Sequence, residues 1–156
     1  MISFWSLERI VSYSFADFNK KLLEINDCER LLQDIRCAKS LLYLGDNCGE
    51  ICLDKILVKK LKEINPDCEI YFATRGAAVV NDSIEEDAYF VGMDQFATII
   101  SNGDYSLGTV LSRTSEAFNR IYQNADIVIA KGQVNCECLS TANKNSYFWL
   151  MTKCDV

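Results

Sequence analysis

The chain has 156 residues, and its 22 acidic against 16 basic side chains give a formal charge of −6. At 49% apolar and 24% charged it can build one domain-sized core, which argues against disorder, coiled coil and collagen. The acidic balance argues against nucleic acid as a partner, since phosphate-backbone affinity comes from clustered Lys and Arg. No apolar stretch approaches the roughly 18–20 residues of a membrane helix, so no membrane partner is expected. The first ten residues place Glu8 and Arg9 among apolar neighbours and do not read as a secretion leader, so the expected location is cytoplasmic.

There is no histidine, which removes Ser-His-Asp and Cys-His nucleophile systems and His-ligated metals. The eight cysteines contain no CxxC pair, and they read as small buried hydrophobes rather than as a disulfide frame or a zinc site.

In chain order, Phe18, Leu22 and Ile25 recur at helical spacing, and Cys28, Leu31, Leu32 and Ile35 continue it after Asn26, which with Glu29 has capping-box form. Residues 1–39 therefore read as a helical N-terminal segment and 40–156 as an α/β unit. Ser40–Leu44 is a short apolar strand closed by a Gly-Asp-Asn-Cys-Gly turn. Behind it Leu53, Leu57, Leu61 and Ile64 mark one face of a helix ended by Asn65-Pro66. Lys59, Lys60 and Lys62 share that helix's solvated face with Asp54 and Glu63.

The unit repeats. Residues 69–73 form a second strand. Asp82 and Glu85 have capping-box spacing before a helix lined by Ile84, Ala88 and Val91. Residues 96–100 form a third strand, Phe118, Ile121 and Tyr122 mark another helix, and 125–130 and 146–151 form the fourth and fifth strands. Continuous apolar strands alternating with helices imply a three-layer α/β/α sandwich on a mainly parallel, Rossmann-like sheet.

Such sheets bind ligands beyond the carboxyl ends of their strands. There stand Asp46 and Asn47, then Asn81 and Asp82, then Asn102 to Asp104, then Lys131, Gly132, Gln133 and Asn135. Asp46 and Asp82 offer carboxylate oxygens and Asn47 and Asn81 amide oxygens, a hard donor set suited to Mg²⁺ or Mn²⁺. Lys131 adds a point charge for a phosphate, and the helix after Gly49 adds a positive dipole end. Each residue also has a purely structural reading: Asp82 as a helix cap, residues 46–49 as turn chemistry, Lys131 as the first solvated residue after a strand. A nucleotide or S-adenosylmethionine site is disfavoured because the first turn lacks GxGxxG spacing.

The ordered series Gly45-Asp46-Asn47-Cys48-Gly49-Glu50, Arg75-Gly76, Asn81-Asp82, Asn102-Gly103, Gly108-Thr109 and Lys131-Gly132-Gln133 with Asn135 resembles the DUF89 (ARMT1-like) family of metal-dependent damage-control phosphatases. The resemblance implies hydrolysis of phosphate monoesters of small metabolites, such as sugar phosphates or phosphopantetheine-like compounds, with a divalent metal (Mg²⁺ or Mn²⁺; Co²⁺ or Ni²⁺ as alternatives). It implies that Asp46, Asn47 and Asp82 are metal ligands or catalytic acids. Asn81 and Lys131 would bind and neutralise the phosphoryl group, with Gly132, Gln133 and Asn135 lining the phosphate loop. Glu50 and Arg75 match family positions without a derivable role. Val134 stands where glycine is usual and Cys48 where alanine is usual. The chain is shorter than the family pattern at both ends, so the alternative expectation is an impaired relative serving as a metal- or phosphate-binding module. Ile2, Phe4, Trp5, Leu7 and Ile10 suggest a homo-oligomer contact.

Overall fold

Five short apolar runs pair into one parallel sheet in the computed structural model, which describes residues 25–150. The strands are β1 (Ser40–Leu44), β2 (Glu69–Thr74), β3 (Thr98–Ser101), β4 (Ile127–Lys131) and β5 (Ser146–Trp149), in the order β3-β2-β1-β4-β5. The helices are α1 (Cys28–Cys37), α2 (Ile51–Ile64), α3 (Glu85–Phe90), α4 (Glu116–Asn124) and α5 (Gln133–Leu139). The earlier predicted helix through Phe18 and Leu22, and the apolar residues near the N-terminus, lie outside the described residues.

The chain moves outward from β1 to β2 and β3, then returns to the other side of β1 with β4 and β5. Reversing the direction of successive right-handed crossovers puts their helices on opposite faces, so the sheet is covered on both sides. One core joins Leu41, Tyr43, Ile70, Phe72, Ile127 and Ile129 to α1, α2, α3 and Met93. The other joins Leu42, Leu44, Ala73, Val128 and Ala130 to Phe118 and Tyr122 of α4 and Leu139 of α5. The alternation along β1 and β4 is the period-two geometry of a strand buried on both faces.

Register fixes the height of the carboxyl rim. Leu44 of β1 pairs with Ala73 of β2 and with Ala130 of β4, so Gly45, Thr74 and Lys131 leave the sheet at one level. At the opposite end the Asp126 carboxylate accepts from the backbone N–H groups of Lys39 and Ser40, at 2.7 and 3.0 Å. Among the described residues, no helix is long and apolar enough to cross a membrane.

Several local expectations need correction. The buried face of α2 is Ile51, Asp54, Val58 and Leu61, whereas Leu53 is 68% exposed. The helix is turned by about one residue from the leucine stripe, and Asp54, expected on the solvated side, is only 3% exposed. Asp82 does not cap α3: the N-cap position is Ile84, whose N–H donates to the Asp87 carboxylate at 3.0 Å. At α1 the N-cap position is Asp27, and Asn26 instead accepts from the N–H of Cys28. The third strand starts at Thr98 because a 3-10 turn, Met93–Gln95, takes up the preceding residues and buries Met93. Helix α5 was not expected at all, since its buried face is one amide and one leucine, Asn135 and Leu139.

Candidate active site

Two loops are stitched together above the sheet. Gly45 extends the ladder by one bond to Ala73 O, at 3.0 Å. Beyond it Ser83 N–H donates to Asp46 O and Cys48 N–H donates to Asn81 O, both at 2.8 Å, and Asn47 and Asp82 form an isolated antiparallel bridge. Residues 46–48 and 81–83 are thereby clamped side by side, which brings Asp46, Asn47 and Asp82 together. Asn81 serves the clamp through its backbone and its side chain is exposed.

The Asn47 amide nitrogen donates to Asp46 at 3.1 Å and to Glu50 at 3.2 Å, which leaves the amide oxygen as its free acceptor. Burial raises the pKa of Asp46 to about 6, and the Asp82 and Glu50 carboxylates push the same way against Arg75 and Lys131. The space around Asp46 is tight: a Cβ on Gly132, whose φ is +86°, would stand inside the Asp46 carboxylate. Glycine is needed there for its conformation and for its missing side chain.

Two cations serve this rim in different ways. Arg75, at the end of β2, is 4% exposed. Its Nε meets Asp82 Oδ2 at 2.7 Å, Nη1 meets Gly108 O at 2.7 Å and Thr109 Oγ1 at 3.2 Å, and Nη2 meets Asn135 Oδ1 at 3.4 Å. Asn135 also accepts from the Thr109 hydroxyl at 2.8 Å and donates to Lys131 O at 2.7 Å. The amide expected to line the phosphate loop is therefore 1% exposed and engaged at both ends beneath the rim. Gln133 lies in the first turn of α5 and donates to Glu137 at 2.8 Å.

Lys131, at the end of β4, meets Glu50 Oε2 at 2.7 Å and Asp54 Oδ1 at 3.0 Å. Burial disfavours its charge, but Glu50 and then Asp54 outweigh burial and raise its pKa. The same Asp54 oxygen accepts from the Tyr43 hydroxyl at 2.7 Å. Asn102 and Asp104, after β3, are buried in their own loop. Asn102 accepts from Asp104 N–H at 2.9 Å, and Asp104 pairs with Arg113 at 3.3 Å.

Four carboxylates, Asp46, Glu50, Asp54 and Asp82, thus surround two cations, Arg75 and Lys131, and the cluster carries an excess of negative charge. Among the described residues no three Asp, Glu or Cys side chains converge as a ready cage for an ion. The mixed Asp-Asn-Asp donor set fits a hard divalent cation that retains water or ligand oxygens.

Sequence reasoning left Glu50 and Arg75 without roles and missed those of Tyr43, Asp54 and Thr109. The available signals were an Arg directly after an apolar strand, as at Lys131, and an Asp interrupting the 51/54/58/61 stripe.

Sheet order and rim together define a doubly wound α/β protein with an acidic, cation-bridged site at the point where strand order reverses, between β1 and β4. The chain belongs to the damage-control phosphatase ARMT1-like domain family, whose model matches residues 5–156. It is 36% identical over 136 residues to a damage-control phosphatase of Pyrococcus horikoshii, covering 86% of this chain and 47% of that one. It is 33% identical over 154 residues to a damage-control phosphatase of Archaeoglobus fulgidus, covering 94% of this chain and 52% of that one. A crystal structure of a DUF89 family protein from P. horikoshii superposes with a TM-score of 0.84 at 36% identity, over 88% of this chain and 48% of that one. The chain spans about half the length of the curated relatives it matches.

Proposed function

We propose that this chain carries the active site of a metal-dependent phosphomonoesterase that hydrolyses phosphate monoesters of small metabolites. The observation that carries this reading is the meeting of Asp46, Asn47 and Asp82 with Lys131 on one rim, in a cluster with excess negative charge. The names of the relatives support the same reaction class.

Asp46, Asn47 and Asp82 would hold a divalent cation, Mg²⁺ or Mn²⁺ in the first instance and Co²⁺ or Ni²⁺ otherwise. The chemistry it supplies when bound is charge neutralisation at the phosphoryl oxygens and a lowered pKa for a water, which an enzyme without histidine needs. The chain's own side chains do the rest. Arg75 fixes Asp82 from behind, and Asn47 presents its amide oxygen because both carboxylate neighbours hold its nitrogen. Among the described residues Lys131 has two N–H donors engaged and a third left for a phosphoryl oxygen. Asn81, exposed at the clamp, would meet the substrate.

The test is a panel of sugar phosphates and phosphopantetheine assayed with the full chain and each of the four metals. Release of phosphate that is lost on chelation and in Asp46→Ala, with circular dichroism unchanged, is the expected result. A folded protein that releases nothing with any metal overturns it. Because the chain spans about half of its relatives, a second reading has the same residues binding metal and phosphate without turnover. Calorimetric titration of Mn²⁺ followed by inorganic phosphate, run beside the assay, separates the two.

A further inference from the structure

We infer that Asp54, backed by the Tyr43 hydroxyl, is a positioning residue that anchors Lys131 with its free N–H toward the rim; this rests on the phosphatase reading above. The buried stripe of α2 is Ile51, Asp54, Val58 and Leu61, where an apolar residue would serve folding better. Asp54 Oδ1 receives both Tyr43 at 2.7 Å and Lys131 at 3.0 Å, while Oδ2 is buried with no partner among the described residues. A carboxylate desolvated in this way, with one oxygen left unsatisfied, costs stability, and its offset is the ammonium of Lys131.

The two carboxylates that hold Lys131 differ in kind. Glu50 has a side chain 45% exposed and also accepts from Asn47, so its position follows the loop at the rim. Asp54 sits on a helix with its side chain 4% exposed, below the fully buried Tyr43 ring, which stacks on Phe72 at 5.4 Å between centroids. The core therefore fixes Lys131 through Asp54, and the rim touches it through Glu50. An ammonium on a four-carbon stem has many rotamers, and holding it in one before substrate arrives removes that ordering cost from the reaction.

Asp54→Asn keeps the shape and removes the charge. Its kcat should fall about 10- to 100-fold, the usual cost of a lost supporting partner, while KM stays within about threefold. On the residual activity of Lys131→Met the same substitution should change turnover by less than about twofold, because a residue acting through Lys131 has nothing left to act on. An equal loss on both backgrounds, or a loss confined to KM, overturns the proposal. Tyr43→Phe keeps the ring stack and should show the same pattern at about 3- to 10-fold; it decides the matter if Asp54→Asn fails to fold.

A second readout needs no turnover. Acetic anhydride labelling of Lys131, followed by mass spectrometry, should be slow in the parent and several-fold faster in both variants, with Lys60 unchanged. If the parent releases no phosphate at all, the phosphatase reading falls alone; if Lys131 labelling is the same in parent and variants, this inference falls.

Discussion

Arg75 and Lys131 leave β2 and β4, the two strands that flank β1, at nearly one height, and each is paired with carboxylates, yet their settings differ. The Arg75–Asp82 pair is dry on both sides, with side chains 4% and 6% exposed, and the guanidinium spends its fork on four partners from three separate segments. Lys131 is half-buried, holds two carboxylates, and among the described residues retains a donor. Planar, multidentate and with four of its five N–H groups committed in a dry surround, the first cation suits construction; compact and partly open to solvent, the second suits an incoming anion. Having a cation at a strand end therefore does not by itself mark a ligand-binding residue. What discriminates is how many partners bind it into the protein and how far it is shut off from solvent.

The largest effect that would break this contrast is expected at Arg75. Arg75→Ala strands a buried Asp82 and several loop acceptors, and should cost about 3–5 kcal/mol in urea denaturation. Arg75→Lys should recover little, since one ammonium cannot span those partners. Lys131→Met should show the reverse balance: turnover down by about 100-fold or more, with a smaller stability loss because Asp54 keeps the Tyr43 hydroxyl and Glu50 faces water. Equal stability losses from the two truncations would dissolve the distinction.

Next in size is the pH dependence of Asp46. Its folded pKa of about 6 lies above the ordinary 3.8, so between those values the folded chain holds a proton that the unfolded chain has released. Stability contributed by this group is therefore present at low pH and lost as pH rises, by roughly 2 kcal/mol between about pH 4 and pH 6. Asp46→Asn should flatten that limb in denaturation curves and raise stability at pH 7 while ending turnover. A parent and variant with parallel pH profiles would refute the burial of Asp46 among neighbouring carboxylates.

Gly132→Ala should cost about 1–3 kcal/mol from its backbone conformation alone and should displace Asp46, so turnover should fall further than stability. The smallest effect is at Val80, an exposed β-branched residue with φ of +50° in the loop leading to Asp82. Val80→Asn should raise stability by about 1 kcal/mol in thermal denaturation, because the left-handed conformation costs a β-branched residue more than an asparagine.

The sheet was readable in sequence because two of its inner strands, β1 and β4, hold the unbroken apolar runs Leu41–Leu44 and Ile127–Ala130, which only a strand covered on both faces requires. Helix α5 was not, because its inward residue is Asn135, and an amide held by Arg75 from 60 positions away leaves no periodic trace. The rim residues were recognisable as a group, since each follows a strand. Their partners were not: Asp82 at a helix entrance satisfies the composition rule for a cap, and only three dimensions show its carboxylate turned to Arg75 instead. Asp54 was misplaced for a related reason. The leucines at 53, 57 and 61 outvote it in any hydrophobic pattern, although Leu53 is largely in solvent.

The missing side chain at Gly132 makes the ground between the exit of β4 and the turn after β1 single-occupancy: either an acid stands there or a side chain does. The two positions, 86 residues apart in the chain, are therefore best read as one character. In any related chain the residue aligned with Gly132 forecasts whether the acid aligned with Asp46 stands as it does here. A design that grafts this rim onto another parallel sheet must transfer the vacancy together with the carboxylate.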